Sequence, residues 1–204
     1  MGFYQEKIVP HLVNLAMRNG ELTPYRERVL AGAQGRVLEI GVGSGANLPL
    51  YSGGVIQLLA LEPSPKLIAM ARGAASRSAR CVKFIEGSAE SIPLASHSVD
   101  TVVMTWTLCS IPQASQALGE IRRVLKPDGS LLFVEHGLSP EPHIKRWQDR
   151  LNPYWKRFAG GCNLNRNIPS LLQDAGFRVI HLNTGYMKGP KPFTYLYEGS
   201  ASPA

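Results

Sequence analysis

Between positions 36 and 135, apolar residues fall into five short runs: residues 36–40, 55–61, 82–86, 99–104 and 130–135. Two stretches between these runs carry apolar side chains at helical spacing, over residues 64–72 and 113–124. Runs of this length bounded by turn residues are typical of buried strands, and strands that alternate with helices form a parallel sheet covered on both faces. The pattern therefore predicts an α/β fold with a mostly parallel sheet.

The two ends of the chain depart from this alternation. Helical spacing predicts an N-terminal helix over residues 3–19 and a second one over 23–31. We expect residues 1–32 to lie over the sheet as a helical lid. Near the C-terminus, a short helix over residues 170–175 precedes two strands, at 177–182 and 193–198, that are joined by turn residues and no helix. Strands joined in this way are antiparallel, so the sheet should end in an antiparallel hairpin.

Residues 137–167 form a long segment between a predicted strand and the last predicted helix, rich in Trp, Pro, Arg and Asn. Because acceptor sites of open α/β sheets lie beyond the carboxyl ends of the strands, we expect this insertion on the substrate side. The sequence shows no internal repeat and no composition break. Residues 1–204 are therefore predicted to form a single domain.

A glycine cluster follows the first strand directly, with Gly41, Gly43 and Gly45 at alternate positions. Residues without a Cβ let backbone N–H groups approach a ligand closely. Glu62 ends the next strand, where a carboxylate accepts hydrogen bonds from ribose hydroxyls. The glycine spacing, and Pro49 soon after it, are less suited to the pyrophosphate of a dinucleotide, which needs a free helix N-terminus. An adenosyl cofactor without phosphate is favoured.

Five segments resemble the successive motifs of class I S-adenosylmethionine (SAM) methyltransferases: VLEIGVGSG from Val37, LALE from Leu59, EGSAE from Glu86, VDTVVMT from Val99 and LKPDG from Leu125. The resemblance covers about residues 35–135. It implies a Rossmann-like, seven-stranded, mostly parallel sheet with a C-terminal antiparallel hairpin, and SAM as cofactor. The cofactor residues that it implies are Glu39, Gly41, Gly43 and Gly45 around the methionine part, Glu62 at the ribose, Ser88, Ala89 and Glu90 at the adenine, Thr105 at the sulfonium, and in addition Ser44, Asn47 and Pro63.

Further segments are similar to a methyltransferase-like family that includes alkyl-thiol S-methyltransferases and bacterial relatives. They are TWTLCSI from Thr105, Glu135-His136, Trp147-Gln148 and GCNLNR from Gly161. This closer resemblance implies a small thiol as methyl acceptor. The chain departs from the mammalian members at Gly160, where they carry an acid, and in having no hydrophobic N-terminal anchor at its start.

His136 is the leading candidate for a general base or a thiol-orienting group, since it follows the fifth predicted strand at the carboxyl edge of the sheet. Asp149 is the second candidate, as a base or as a partner that orients His136. The alternative for His136 is that it is hydrogen-bonded within its loop, and the alternative for Asp149 is that it is a solvated carboxylate on a helix. The residues predicted to contact the acceptor are Trp106, Trp147, Cys162 and Arg166.

The net charge of +7 comes from scattered Lys and Arg residues, so a solvated surface is favoured over a nucleic-acid face. The three cysteines include no CxxC pair, which indicates a reducing, cytoplasmic compartment and no zinc site. No carboxylates stand near the fourth strand to hold Mg²⁺. Two alternatives stay open from sequence: methylation of a lipid amine, a quinone or another small acceptor, and a SAM-binding protein without thiol turnover.

Overall fold

The computed structural model describes residues 14–15, 17, 19–76 and 81–204. The helix predicted over residues 3–19, and with it most of the predicted lid, lies largely outside these ranges. The helix predicted at 23–31 is present as α1, Thr23–Leu30, with Pro24 in its first turn. Within the described ranges, no helix is both long and apolar enough to cross a bilayer.

Seven strands form one sheet in the described part of the chain: β1 (Gly35–Ile40), β2 (Val55–Glu62), β3 (Val82–Glu86), β4 (Val99–Thr105), β5 (Leu125–His136), β6 (Phe177–Tyr186) and β7 (Tyr195–Pro203). Their order across the sheet is β3-β2-β1-β4-β5-β7-β6. The first five strands are parallel, and β7 is antiparallel to both β5 and β6. The prediction of a Rossmann-like, mostly parallel sheet with a C-terminal antiparallel hairpin is confirmed.

Side chains alternate across the sheet because successive residues of a strand point to opposite faces. In β1, Leu38 and Ile40 pack into one apolar core, and Val37 packs into a second core on the other face. The first core includes residues of α3 (Ala114–Val124) and α5 (Ile168–Asp174), and the second includes residues of α1 and α2 (Pro65–Ala75). Because both faces of the sheet are buried, consecutive residues along these strands are apolar.

The strand order reverses between β1 and β4, which lie side by side in the middle of the sheet. Loops that leave the carboxyl ends of these two strands run to opposite sides, and the crevice between them is the usual ligand site of an open α/β sheet. The segments that follow β1, β2, β4 and β5 therefore converge at this edge.

The predicted insertion contains a 17-residue helix, α4 (Pro142–Phe158), whose bounds the sequence pattern did not give. Pro153 lies inside it, and an internal proline normally argues against a helix. The helix is fixed by tertiary contacts: Gln148 is buried, its Oε1 accepts from Ser139 N, and its Nε2 donates to Gly137 O and Pro192 O. β6 and β7 are also longer than predicted: β6 continues to Tyr186, and β7 begins at Tyr195 and continues to Pro203, which pairs with Phe177.

Candidate active site

A cavity of about 730 Å³ opens at the carboxyl edge of the sheet. Residues that follow β1, β2, β4 and β5 line it, together with residues of α1, α4 and the segment before β7. One end is polar and built from the glycine turn and two buried carboxylates. The other end is apolar and contains two cysteines and a histidine. A ligand with a polar cofactor part and an apolar partner fits such a cavity.

The glycine turn adopts backbone conformations that favour glycine. Gly41 has a φ of 67° and Gly43 a φ of 55°, both in the left-handed region. A Cβ added at Gly41 would lie 2.5 Å from Cγ2 of Thr107, so no larger residue fits there. Gly45 does not line the cavity; its missing side chain lets the turn approach Ala71 of α2. The turn thus lies against both the cavity and the helix.

Glu62 lies at the end of β2 and lines the polar end of the cavity. Its two carboxylate oxygens accept hydrogen bonds from the backbone N–H groups of Gly43 and Ser64, each at 3.1 Å. Burial raises the pKa of Glu62, and these two backbone hydrogen bonds oppose the rise. Each oxygen retains a lone pair for a ligand hydroxyl. The carboxylate is therefore both fixed in position and able to accept further hydrogen bonds.

Arg26 of α1 is buried at the same end, although no sequence pattern pointed to it. Its Nη1 donates to Asn47 Oδ1 at 2.6 Å and to Thr105 Oγ1 at 3.0 Å. Burial lowers the pKa of Arg26, and the nearby Glu39 opposes that effect. The burial of Arg26 marks it as a site residue. Because that burial depends on how the helix packs, the sequence alone could not reveal it.

Glu39 of β1 accepts hydrogen bonds from Asn47 Nδ2 at 2.9 Å and from the Tyr51 hydroxyl at 2.9 Å. Burial raises the pKa of Glu39 to about 7, against the lowering effect of these hydrogen bonds and of Arg26. Asn47 itself lies behind the cavity wall, where it links Glu39 to Thr105. A carboxylate and a guanidinium thus lie together at this end, suited to a ligand with both an ammonium and a carboxylate.

At the other end of the cavity, His136 Nε2 lies 3.0 Å from the sulfur of Cys162, and that sulfur lies 3.4 Å from the sulfur of Cys109. Burial lowers the pKa of His136 to about 4, so its ring is neutral at physiological pH. Its Nδ1 is buried and makes no hydrogen bond to the described residues. A neutral imidazole nitrogen and two thiols therefore converge on one point of the cavity.

Aromatic rings surround this point. The rings of Trp155 and Phe193 lie 4.6 Å apart between their centres, and Trp106 and Phe158 also line the cavity. Trp106 has a φ of 51°, unusual for a bulky residue, which indicates that its backbone is held in a strained turn. The rings form an apolar wall suited to an acceptor with an apolar body.

Most residues predicted for the cofactor line the cavity: Glu39, Gly41, Gly43, Ser44, Glu62, Pro63, Ser88, Ala89 and Thr105. Glu90 does not. Its Oε2 accepts from the Ser88 hydroxyl and its Oε1 from the backbone N–H of Gln113. Glu90 thus fixes the loop that carries Ser88 and Ala89 rather than facing a ligand.

Three residues predicted at the acceptor end lie outside the cavity. Asp149 is exposed and accepts from Asn165 Nδ2, so it does not orient His136. Trp147 is 53% exposed, because the inward face of α4 carries Ile144, Gln148 and Trp155 instead. Arg166 donates to the carbonyls of Leu108 and Ile111 and braces the turn that carries Cys109. These positions correct the expectation that all three contact the substrate or the base.

The family model described as a methyltransferase domain matches residues 38–133. Thiol S-methyltransferase TMT1B of Homo sapiens is 35% identical over 177 residues, which are 83% of this chain and 70% of that protein. Thiol S-methyltransferase TMT1A of Homo sapiens is 33% identical over 159 residues, 74% of this chain and 64% of that protein. The chain thus spans about two thirds of the length of these relatives.

A solved structure of a SAM-dependent methyltransferase from Thermotoga maritima has the same fold. It superposes with a TM-score of 0.69 at 22% identity and covers 98% of this chain and 100% of its own. Since the identity is low, this likeness concerns the architecture of the sheet and its helices.

Proposed function

This chain belongs to the SAM-dependent methyltransferases, and from that premise we propose that it transfers a methyl group to the sulfur of a small, rather apolar thiol. One observation carries the proposal. The cavity runs from the glycine turn and Glu62 to an apolar pocket at His136, with aromatic rings around the acceptor end. The thiol S-methyltransferases that the chain resembles make a thiol the first acceptor to test.

The polar end fits the cofactor. S-adenosylmethionine, when bound, supplies a methyl group on a positively charged sulfonium. Glu62 has acceptor capacity for ribose hydroxyls, and the turn at Gly41 and Gly43 admits a ligand close to the backbone. We assign the amino-acid part of the cofactor to Arg26 and Glu39, whose opposite charges match its carboxylate and its ammonium. Ser88 and Ala89 lie at the wall where the adenine is expected.

The acceptor end supports methyl transfer in two ways. The aromatic rings of Trp106, Trp155 and Phe193 give the acceptor end an apolar wall, against which the apolar body of a thiol can pack. His136 lines the same pocket, and its Nε2 is directed toward a sulfur atom, that of Cys162. We assign to His136 the orientation of the acceptor sulfur, either directly or through a group that its Nε2 binds. Holding the acceptor in line with the methyl group supplies much of the rate of such a displacement.

The test is a methyl-transfer assay with matched acceptors. Purified protein and SAM are incubated with an alkyl thiol, an aryl thiol, and the alcohol, amine and phenol of the same carbon skeletons, and S-adenosylhomocysteine is measured. We expect product from the thiols alone. Product from an amine, a phenol or a quinone but from no thiol would refute the proposal and favour another small or lipid acceptor. SAM binding without any product would favour a binding protein. The cytoplasmic location and the absence of nucleic-acid partners stay predictions of the sequence.

A further inference from the structure

Cys109, His136 and Cys162 form a cluster in which one potential metal-binding atom of each residue lies within 4.8 Å of the others. A tetrahedral zinc ion with Zn–S bonds of about 2.3 Å and Zn–N bonds of about 2.0 Å separates its ligand atoms by roughly 3.5–3.8 Å. The separations of 3.4 Å between the sulfurs and 3.0 Å between Cys162 Sγ and His136 Nε2 are shorter than these values by roughly 0.5 Å, a difference that small side-chain rotations remove. The three side chains can therefore bind one metal ion without any rearrangement of the backbone.

The segments that carry the three side chains are tied to one another. Asn163, next to Cys162, donates to the carbonyl of Cys109 from both its backbone N and its Nδ2, each at 2.8 Å. Glu135, next to His136, accepts hydrogen bonds from the backbone N–H groups of Thr107 and Leu108 in the turn before Cys109. Because these hydrogen bonds are separate from the cluster itself, the backbone segments that carry the three side chains are held together before any ligand binds.

The charges around the cluster favour a divalent cation. Glu135 is a fully buried carboxyl directly beside it, and Arg166 interacts electrostatically with Glu135 and with both cysteines. Two cysteine thiolates would add two negative charges to this buried, largely apolar wall, where one arginine stands beside them. A divalent ion that prefers sulfur and imidazole ligands would neutralise both.

All three side chains line the cavity that also contains the glycine turn and Glu62. An ion held by these three ligands would have its fourth tetrahedral position free for a ligand from the cavity, as in catalytic rather than structural zinc sites. We propose that Cys109, His136 and Cys162 bind one zinc-type divalent ion, and that its fourth position takes the sulfur of the thiol acceptor.

The second half of this inference rests on the proposed function. A thiol entering the fourth position displaces a water molecule: a metal–sulfur bond forms, a metal–oxygen bond breaks, and the thiol proton leaves to solvent. No oxidant or reductant is needed. Coordination holds the acceptor as its thiolate, the nucleophilic form, inside an apolar pocket. Sequence spacing gave no indication of this site, because its ligands come from three separate segments.

The first experiment measures metal binding independently of activity. The full chain is purified without chelators and loaded with Zn²⁺ or Co²⁺; metal content is measured after gel filtration, and the Co²⁺ protein is examined for thiolate-to-cobalt charge transfer. We expect one ion per chain with a tetrahedral cobalt spectrum. Cys162→Ser should weaken binding at least 100-fold, and Cys81→Ser, at an exposed cysteine, should leave it unchanged. Circular dichroism verifies that both variants are folded.

Three results of this experiment would overturn the site: no bound metal in the folded wild-type protein, equal loss of metal in the Cys81→Ser control, or a Cys109–Cys162 disulfide in protein kept under reducing conditions. Mass spectrometry of the intact chain detects the disulfide as the loss of two hydrogens.

The second experiment tests the fourth position. An alkyl thiol added to the Co²⁺ protein should increase the charge-transfer absorption, and the alcohol of the same carbon skeleton should leave the spectrum unchanged. A spectrum that does not respond to thiol would overturn the acceptor role of the ion. Undiminished thiol methylation by metal-free protein would also overturn the acceptor role of the ion, but it would support the proposed function. A responsive metal site in a protein that methylates no thiol would instead contradict the proposed function.

Discussion

The guanidinium carbon of Arg26 lies 4.9 Å from the centre of the Trp106 ring, where the polar and apolar ends of the cavity meet. A cation over an aromatic face is attracted by the ring quadrupole, most strongly when both are shielded from water. The contact joins α1 to the strained turn after β4. Through it, the residues that we assign to the cofactor are coupled to the wall of the acceptor pocket.

Substitution of Arg26 should weaken cofactor binding. Hydrogen bonds to charged groups contribute about 1.5–3 kcal/mol each, so we expect Arg26→Met to raise the Kd for SAM roughly tenfold or more. Isothermal titration calorimetry measures it. Arg28→Met is the matched control, since Arg28 lies on the same helix but is paired with Glu198 at the surface. Equal effects of the two variants would show that Arg26 acts only through the stability of α1.

The affinity for SAM should depend on pH through Glu39. Because its pKa is about 7 in the free protein, much of the carboxyl is neutral below that pH, whereas the ammonium of the cofactor requires the carboxylate. Binding therefore releases a proton. The Kd should fall as pH rises from about 5.5 toward 7, by at most about tenfold per unit, and level off above. Calorimetry in buffers of different ionisation enthalpy counts the proton. Glu39→Gln should abolish the dependence; if it persists, another group is responsible.

His136 and Asp149 should differ sharply in their importance for turnover. We expect His136→Ala to lower kcat at least 100-fold and to change the Kd for SAM less than about threefold, since His136 lies at the acceptor end. Asp149→Asn should keep kcat within about twofold, because the side chain is exposed and bonded to Asn165. Steady-state kinetics with the best thiol and SAM calorimetry provide both values. A large loss of kcat in Asp149→Asn would restore Asp149 as the base.

The aromatic wall should determine the preference for apolar acceptors. Phe193→Ala removes a ring that lies against Trp155, and we expect about a tenfold rise in KM for a bulky alkyl thiol, with a smaller rise for a short one. Trp147→Ala is the control, because Trp147 faces away from the cavity. Comparable increases for both variants would contradict the assignment of the pocket wall.

Gln148 should stabilise the whole insertion. Gln148→Leu removes one acceptor and two donor contacts and leaves Ser139 N, Gly137 O and Pro192 O without these partners. A buried polar group left unpaired costs about 1–3 kcal/mol, so the free energy of unfolding should fall by roughly 2–4 kcal/mol. Urea denaturation measures it, with Arg146→Ala at the exposed face as a control expected within about 0.5 kcal/mol. An unchanged unfolding midpoint would mean that α4 is held by other contacts.

The alternation of strands and helices and the glycine turn after β1 followed from sequence, because both are encoded locally. The apolar runs define the strands, and the glycines and Glu62 stand next to the strands that position them. The antiparallel hairpin followed from the missing helix between its strands. Helix α4 did not follow, since Pro153 interrupts its pattern and its stability comes from the side-chain bonds of Gln148.

Only the tertiary structure showed which residues form the acceptor end of the cavity. Cys109, His136 and Cys162 stand 27 and 26 positions apart along the chain, and no spacing rule links residues on a turn, a strand end and the loop after a helix. The same holds for Arg26, whose burial depends on how α1 packs over the glycine turn. Local patterns specify which elements form, because backbone and side-chain preferences act over a few residues. Sites built by contacts between distant segments depend on how those elements pack.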